Sequence, residues 1–283
     1  MKLSSLRETF YLMNPIWETL AVSLIAVLSA ALGWFFGRQT GWKWTFGWLL
    51  PLSVQILIAV CLNVRQLCFV PPTSWLMEGL REWVFMAMAI PMILGTLAGK
   101  LKTSSQRKML YALSLVCALR IGILPFLAPL IDHQELETLR TDIDGDGVCM
   151  QTTRYTCGPA SAVTALRKLG FPCEEGALGL LCQTSSTTGT QDDIMTTALR
   201  DTFGPKGLYI EHRYVKSARE LADWPVSIVV IKHGFMVDHY VTVLKVDANT
   251  VTVGDPLIGE QMLPIEQFEK TWRNVAILMR RTF

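Results

Sequence analysis

The stretch from Gln151 to Gly170 contains residue types that can perform nucleophilic chemistry. Cys157 stands where a polar run gives way to a helical pattern, with Thr156 able to cap the helix, Pro159 in its first turn and Gly170 placed to end it. A sulfur at the start of a helix feels the positive end of the helix dipole, which favours the thiolate, the nucleophilic form. The pattern therefore predicts a nucleophile at Cys157.

A side-chain amide precedes this cysteine. Gln151 lies six residues before Cys157, in the strand or loop that approaches the helix. If the amide folds back towards the sulfur, it can donate a hydrogen bond to the oxyanion that forms when a carbonyl is attacked. By itself Gln151 is equally consistent with a surface amide, so its predicted role as an oxyanion donor depends on Cys157 and on a general base.

A histidine and a carboxylate further along the chain can complete a catalytic triad. His239 precedes the alternating strand Tyr-Val-Thr-Val, the chain reverses near Asp247, and Asp255 ends the returning strand. Antiparallel pairing brings the two strand ends together, which gives an imidazole oriented by a carboxylate. Asp238 points to the opposite strand face and is not expected to orient the ring. The other histidines are interpreted as surface or satisfied core residues: His133, His212 and His233.

These motifs together resemble a known family. Gln-x5-Cys-Gly-x-Ala, then His-Tyr-Val and Asp-Pro, resemble the C39-type papain-like cysteine peptidases over residues 148–283. The resemblance implies that Cys157 attacks a peptide carbonyl and that His239 takes and returns the proton. It also implies that Asp255 orients His239, that Gln151 and the Cys157 N–H hold the oxyanion, and that no cofactor is required.

Two other functions remain open for this half of the chain. A non-hydrolytic peptide-binding domain can share the fold, although retention of Cys157, His239 and Asp255 argues against it, and the same triad serves acyl or glutamyl transfer. Transporter-linked members of the family cut after a double-Gly leader. This chain departs from them because its apolar half precedes the domain and the sequence contains no Walker A motif, so ATP-driven export by the same polypeptide is not expected.

The C-terminal half is predicted to be an α+β domain, residues 141–283. Helical patterns at 157–169, 174–181 and 191–203 come first, and strand patterns at 208–214, 226–231, 240–246, 250–254 and 275–279 follow, with a last helix over 264–272. Helices followed by an antiparallel sheet are typical of this class.

The N-terminal half, residues 1–140, is predicted to be an all-α membrane domain of about four transmembrane helices. The chain is 51% hydrophobic with a formal net charge of only +2, and long uncharged runs can cross ~30 Å of hydrocarbon. A removable signal peptide is the alternative for the first run, which begins late and lacks a cleavage site. The runs are 16–37, 46–64, 83–99 and 109–131.

Arg120 lies inside the fourth run, where a charge usually faces protein or water. It is interpreted as a snorkelling side chain or a partner for a carbonyl, with a transport role as the alternative. A channel or transporter with an accessory domain is therefore a further hypothesis, for which Arg120 is the only support.

Loop charge predicts the orientation in a bacterial plasma membrane. With the N-terminus outside, six Lys and Arg residues lie inside, among them the cluster from Lys100 to Lys108, and four lie outside. An even number of spans then places the C-terminal domain outside the cytoplasm. The expected partners are a peptide or protein substrate and the lipid bilayer, with membrane partner proteins left open and no nucleic acid.

An acidic turn, Asp142-Ile-Asp144-Gly-Asp146-Gly147, precedes the catalytic motif. Alternating carboxylates with Gly at the sixth place match the opening of a calcium loop, but the twelfth position is Thr153 rather than Glu. The turn is predicted either to bind calcium or to be a solvated acidic turn. Cys173 and Cys182 are similarly left open between a disulfide and free thiols.

Overall fold

The chain divides into two compact units whose boundary falls between Ile131 and Asp132. The structure, a computed structural model, describes residues 3–234 and 237–282, with side chains from residue 15 onward. Lys2, which entered the loop-charge comparison, lies outside the described residues, as does the Arg7 side chain. The boundary precedes the predicted one at residue 141.

The first unit is helical, as the long apolar runs predict. Four segments are long and apolar enough to span a membrane, namely Pro15–Gly37, Trp42–Asn63, Arg81–Ala98 and Ser104–Thr138. The all-α character and four candidate spans confirm the sequence-based expectation for the N-terminal half. Its helices are α1 (Leu3–Gly37), α2 (Trp42–Asn63), α3 (Thr73–Leu76), α4 (Arg81–Ala98), α5 (Ser104–Cys117) and α6 (Leu124–Ile131).

Small residues let these helices approach closely. A Cβ at Gly95 would lie 3.0 Å from the carbonyl oxygen of Ala30, and one at Gly33 would collide with the backbone of Met92, so α1 and α4 contact through their backbones. A π-helical segment, Ala118–Ile123, joins α5 to α6. Arg120 lies in this segment with its side chain exposed, so it is not enclosed by the helices of the unit.

The second unit begins with short helices and ends with a sheet. Its elements are α7 (His133–Thr138), β1 (Asp142–Ile143), β2 (Cys149–Met150), α8 (Cys157–Lys168), α9 (Glu175–Leu181), α10 (Asp192–Phe203), β3 (Leu208–Tyr214), β4 (Val226–Gly234), β5 (Val237–Val246), β6 (Thr250–Asp255), β7 (Gly259–Pro264), α11 (Ile265–Thr271) and β8 (Trp272–Arg281). This order of helices before an antiparallel sheet confirms the predicted α+β class.

The main sheet has six strands in the order β3-β8-β4-β5-β6-β7, and every neighbouring pair is antiparallel. Its inner strands are rich in Val and Ile, the β-branched residues that favour a pleated, buried surface. Val241, Val253 and Phe268 belong to a buried cluster that joins the strands to α11. β7 was not predicted, because its Gly-Glu-Gln-Met-Leu-Pro sequence shows neither strong alternation nor an apolar run.

The segment from Asp132 to Arg140, interpreted from the sequence as a linker or helical stub, is part of the second unit. Leu136 on α7 is 1% exposed. It packs over two glycines of α9, where a Cβ at Gly179 would lie 3.0 Å from a Leu136 methyl and one at Gly176 would collide with the Leu136 carbonyl oxygen. Glu135 accepts a hydrogen bond from the Tyr155 hydroxyl at 2.5 Å. α7 is thus built into the core of the second unit.

This packing predicts that Leu136→Ala destabilises the second unit. Removing a fully buried leucine leaves a cavity beneath the α9 glycines, and we expect a loss of roughly 2–5 kcal/mol in the free energy of unfolding. Gln134→Ala, an exposed change on the same helix, is the matched control and should change stability by less than about 0.5 kcal/mol. Equal thermal unfolding midpoints for the two variants would contradict this account of α7.

Candidate active site

Cys157 is the first residue of α8, as predicted, and is partly exposed. The positive end of the helix therefore faces its sulfur. Thr156 is the N-cap by position, but its side chain makes no capping hydrogen bond. Instead Thr156 Oγ1 accepts from the Thr153 N–H at 3.1 Å. The capping expectation was wrong in this detail, because the turn before the helix uses the hydroxyl.

Two hydrogen bonds fix α8 to its surroundings. The Thr242 hydroxyl of β5 donates to the Ser161 carbonyl at 2.8 Å, and the Cys149 N–H of β2 donates to the Thr164 hydroxyl at 2.9 Å. The helix is buried from Gly158 to Leu166, and its alanines let it lie close to the sheet. Because β5 carries His239 and β2 leads directly into Gln151, these bonds fix Cys157 relative to both residues.

His239 and Asp255 form a buried hydrogen-bonded pair. His239 Nε2 and Asp255 Oδ1 are 2.8 Å apart, and the residues are 4% and 8% exposed. The same carboxylate oxygen accepts the Leu257 N–H at 2.8 Å, which fixes the carboxyl plane. With Nε2 bonded to Asp255, the other ring nitrogen, Nδ1, is available to Cys157, which lies close enough to raise the pKa of His239.

The contacts of this pair favour its charged forms. Burial disfavours a charged imidazole, but hydrogen bonds and negative charge at Asp255 and Cys157 outweigh it and raise the pKa of His239 to about 9. Burial likewise opposes ionisation of Asp255, but the His239 and Leu257 hydrogen bonds and the nearby His239 and His233 charges lower its pKa. The arrangement therefore supports an imidazolium between a carboxylate and a sulfur at neutral pH.

Gln151 is held in the segment that leads into α8. Its backbone N–H donates to the Pro256 carbonyl at 2.9 Å, which ties it to the residue after Asp255. Its side-chain Nε2 donates to the Thr153 carbonyl at 2.7 Å. Because an amide nitrogen carries two hydrogens, one remains for an oxyanion. The role of Gln151 as that donor stays a prediction.

Close packing behind the cysteine explains the glycine that follows it. A Cβ at Gly158 would lie 2.7 Å from Thr190 Oγ1, so a side chain there would push the helix start away from the loop that carries Thr190. The Tyr240 hydroxyl donates to the Thr190 carbonyl at 3.1 Å. Thr190 thus contacts the neighbours of both Cys157 and His239.

Three other residues that the sequence analysis considered, Asp238, His133 and His212, make ion-pair contacts away from Cys157 and Asp255. Asp238 pairs with Arg273 at 2.7 Å, consistent with the expectation that it does not orient His239. His133 lies 3.7 Å from Glu137, and His212 lies 3.6 Å from Asp192. His133 and His212 are thus engaged in local contacts, as the sequence interpretation expected.

His233 is closer to the site than the sequence interpretation suggested. Its ring centroid is 5.3 Å from that of His239, and its charge contributes to lowering the pKa of Asp255, after burial and the hydrogen bonds described above. The strand register could have indicated this, because Ile231 pairs with His239 and His233 follows two residues later at a bulge.

The acidic turn bonds its own backbone. Asp144 Oδ1 accepts the N–H groups of Asp146 and Val148 at 3.0 and 2.8 Å, which closes the turn on itself. In the described part of the chain, no group of three or more His, Cys, Asp or Glu side chains is placed to hold a metal ion. The bonds at Asp144 are consistent with the solvated turn, and the calcium alternative for Asp142, Asp144 and Asp146 stays a prediction.

Cys173 and Cys182 are free thiols in the structure, which is one of the two interpretations that the sequence left open. Burial is the largest cause that raises the pKa of Cys149, Cys173 and Cys182 to about 12 each. These thiols are therefore poor nucleophiles. Cys157 differs from them in its contact with His239.

The second half of the chain matches a known family model. Residues 147–283 match the model of the Peptidase C39 family. Two curated relatives are uncharacterized proteins of Methanothermobacter thermautotrophicus and Methanothermobacter marburgensis, 26% and 24% identical over 147 residues. Each match covers 52% of this chain and 97% of the relative.

Two solved structures that are similar to this chain are of proteases. One is the peptidase domain of Streptococcus ComA, a bi-functional ABC transporter involved in a quorum-sensing pathway, with 21% identity, TM-score 0.41, and 47% of this chain and 96% of that chain covered. Another is a double glycine motif protease from an AMS/PCAT transporter in complex with the leader peptide, with 19% identity, TM-score 0.41, and 51% and 96% covered. Residues 147–283 thus match the Peptidase C39 family model, and four candidate membrane-spanning helices precede them.

Proposed function

We propose that this protein is a membrane-bound cysteine peptidase that hydrolyses peptide bonds with Cys157, His239, Asp255 and Gln151. The observation that carries the proposal is the buried hydrogen bond of 2.8 Å between His239 and Asp255, with Cys157 close enough to the same imidazole to raise its pKa. A carboxylate, an imidazole and a sulfur that lie next to one another in this order in space are the parts of a nucleophilic triad. The four candidate spans associate it with a membrane.

The first half of the reaction forms a thioester. The Cys157 thiolate attacks the carbonyl carbon of the peptide bond, and the negative charge that develops on oxygen is stabilised by the Gln151 amide and the Cys157 N–H. When the tetrahedral intermediate collapses, the C–N bond breaks and His239 gives its proton to the departing amine. The N-terminal part of the substrate is then esterified to sulfur.

The second half releases this acyl group. Neutral His239 takes a proton from water, the resulting hydroxide attacks the thioester carbonyl, and the C–S bond breaks. The products are a carboxylic acid, the Cys157 thiolate and a protonated His239, so the starting state is restored. Throughout, Asp255 keeps the ring orientation and stabilises the imidazolium without accepting the proton itself.

The contacts at the site favour hydrolysis over a peptide-binding domain that lacks chemistry. A binding surface has no use for a buried charged pair, which is costly to desolvate unless its geometry is good. In this chain His239 and Asp255 form such a buried pair, and His239 also lies beside Cys157 at the helix start. This arrangement is the one that a nucleophilic reaction needs. The transport-linked alternative has less support, because Arg120 is exposed rather than enclosed among the helices.

Substitution of the triad should give non-additive losses. Cys157→Ala and His239→Ala should each remove nearly all cleavage of an internally quenched peptide library, including double-glycine peptides, and the double variant should lose little more, because these residues act as a unit. Gln151→Ala should lower kcat by ~10²–10³ while iodoacetamide still alkylates Cys157 rapidly. Cys182→Ala, a change at a buried thiol outside the triad, is the control.

Cleavage of the library by the Cys157→Ala variant would overturn the peptidase assignment. A wild type that binds library peptides and cleaves none would instead favour the binding-domain alternative.

The pH dependence should report the His239 environment. The imidazolium must supply a proton to the leaving amine, so kcat/KM should fall as pH rises through about 9, the value to which the pKa of His239 is raised. Asp255→Asn removes a charge that raises this pKa and should move the alkaline limb to lower pH. Asp238→Asn, next to His239 but paired with Arg273, should leave the limb in place. An unchanged alkaline limb in Asp255→Asn would contradict this assignment.

We also propose that the peptidase domain faces the outside of a bacterial plasma membrane, on the basis of the Lys100 to Lys108 cluster and the even number of spans. A periplasmic-type reporter fused to the C-terminus should be active, and a membrane-impermeant thiol reagent should reach Cys157 in intact cells. Activity of a cytoplasmic reporter at the same fusion point would reverse the orientation.

A further inference from the structure

A buried acid outside the triad contacts the segment that carries Gln151. Glu175, the first residue of α9, is 0% exposed. Burying a carboxyl group is costly unless its oxygens accept hydrogen bonds. The residues that donate hydrogen bonds to Glu175 therefore indicate which segment the buried carboxyl group stabilises.

Both carboxyl oxygens of Glu175 accept hydrogen bonds from one residue. The Thr152 N–H donates to Oε1 at 3.0 Å, and the Thr152 hydroxyl donates to Oε2 at 2.5 Å. The backbone N–H of Glu175 in turn donates to the Thr141 hydroxyl at 2.8 Å. Thr152 is thus held through its main chain and its side chain by one fixed, buried group.

In the chain, Thr152 lies between two groups that fix the Gln151 side-chain amide, the Gln151 N–H and the Thr153 carbonyl. Before it, the Gln151 N–H is fixed by the Pro256 carbonyl at 2.9 Å. After it, the Thr153 carbonyl accepts the Gln151 Nε2 hydrogen bond at 2.7 Å. Rotation of the peptide units around Thr152 would move that carbonyl and swing the amide with it. The Glu175 contacts prevent this rotation.

We propose that Glu175 is a positioning residue that holds the oxyanion donor Gln151 in its productive direction through Thr152. The inference rests on the proposed peptidase function and extends it to a group that touches neither substrate nor Cys157. Its role is to reduce the freedom of the approach segment before the oxyanion forms, since donors that are already aligned need no reorganisation during the reaction.

The test uses the purified full-length protein and the library peptide that the wild type cleaves fastest. Glu175→Gln keeps the side-chain volume and one acceptor for the Thr152 N–H, but its amide nitrogen donates where Oε2 accepted. The Thr152 hydroxyl then has to turn towards the Arg140 carbonyl, 3.3 Å away, and its strong bond to Oε2 is lost. We expect kcat to fall about 10-fold, since small misplacements of catalytic groups have effects of this order or larger, with KM unchanged. The rate of iodoacetamide alkylation at Cys157 should also stay unchanged, because alkylation forms no oxyanion.

Coupling to Gln151 separates positioning from general destabilisation. In a Gln151→Ala background the donor is gone, so adding Glu175→Gln should cause no further loss of kcat. Thr152→Val removes the same hydroxyl bond from the other side and keeps the backbone N–H bond, at an exposed side chain, so it should give a similar loss of kcat. Glu174→Gln, an equal charge change at the exposed neighbouring residue, is the matched control and should match the wild type.

Hydrogen exchange supplies a readout that does not depend on turnover. Glu175→Gln should speed amide exchange in residues 150–157 and leave the β5 and β6 peptides unchanged. Unchanged exchange in 150–157 would overturn the anchoring role whatever the activity. Faster exchange with wild-type kcat, or an equal loss of kcat in the Gln151→Ala background, would overturn the positioning role. If the wild type cleaves no peptide, the proposed function fails by itself, while the exchange result still decides whether Glu175 holds the segment.

Discussion

An imidazole can remain charged inside a protein only if neighbouring groups compensate for the water it has lost. In this chain the compensation comes from Asp255, 2.8 Å from His239, and from the Cys157 side chain, and together they raise the pKa of His239 to about 9 despite burial. Asp255 is in turn kept ionised by His239 and by the Leu257 N–H. The pairing of β5 with β6 and the turn after β6 therefore matter to function, because they determine whether this hydrogen bond exists.

The second requirement is that the Cys157 sulfur at the start of α8 lies close to the His239 ring on β5. α8 is buried along most of its length and is fixed at Ser161 to β5 and at Thr164 to β2. Gly158 allows the loop with Thr190 to lie against the helix start. The proposed catalytic residues are thus held by backbone and hydroxyl contacts of the residues around them. Such supporting contacts restrict geometry to the accuracy that acyl transfer needs.

Local sequence patterns were sufficient to predict the helix that begins at Cys157 and the strands that carry His239 and Asp255. Helix starts and alternating strands depend on neighbouring residues, which the sequence shows directly. They could not reveal Glu175, since an acid at a helix start looks like an ordinary surface residue until its partner Thr152 is known. His233 was underestimated for the same reason: its position depends on a bulge in the β4–β5 pairing. The acidic turn matched a calcium loop by composition, whereas Asp144 bonds its own backbone. The short linker α7 was missed as a core element because only Leu136 is apolar and buried on it.

The central claim is that Cys157 forms a covalent acyl intermediate with its substrate. The most direct measurement is intact-mass analysis of the full-length protein after rapid acid quenching of its reaction with a peptide thioester or ester, followed by peptide mapping. The account predicts a mass increase equal to the acyl half of the substrate, located on Cys157, that decays as free acid is released and that is absent in Cys157→Ala. Substrate turnover without any acyl mass on Cys157, or the same adduct on another residue, would contradict it.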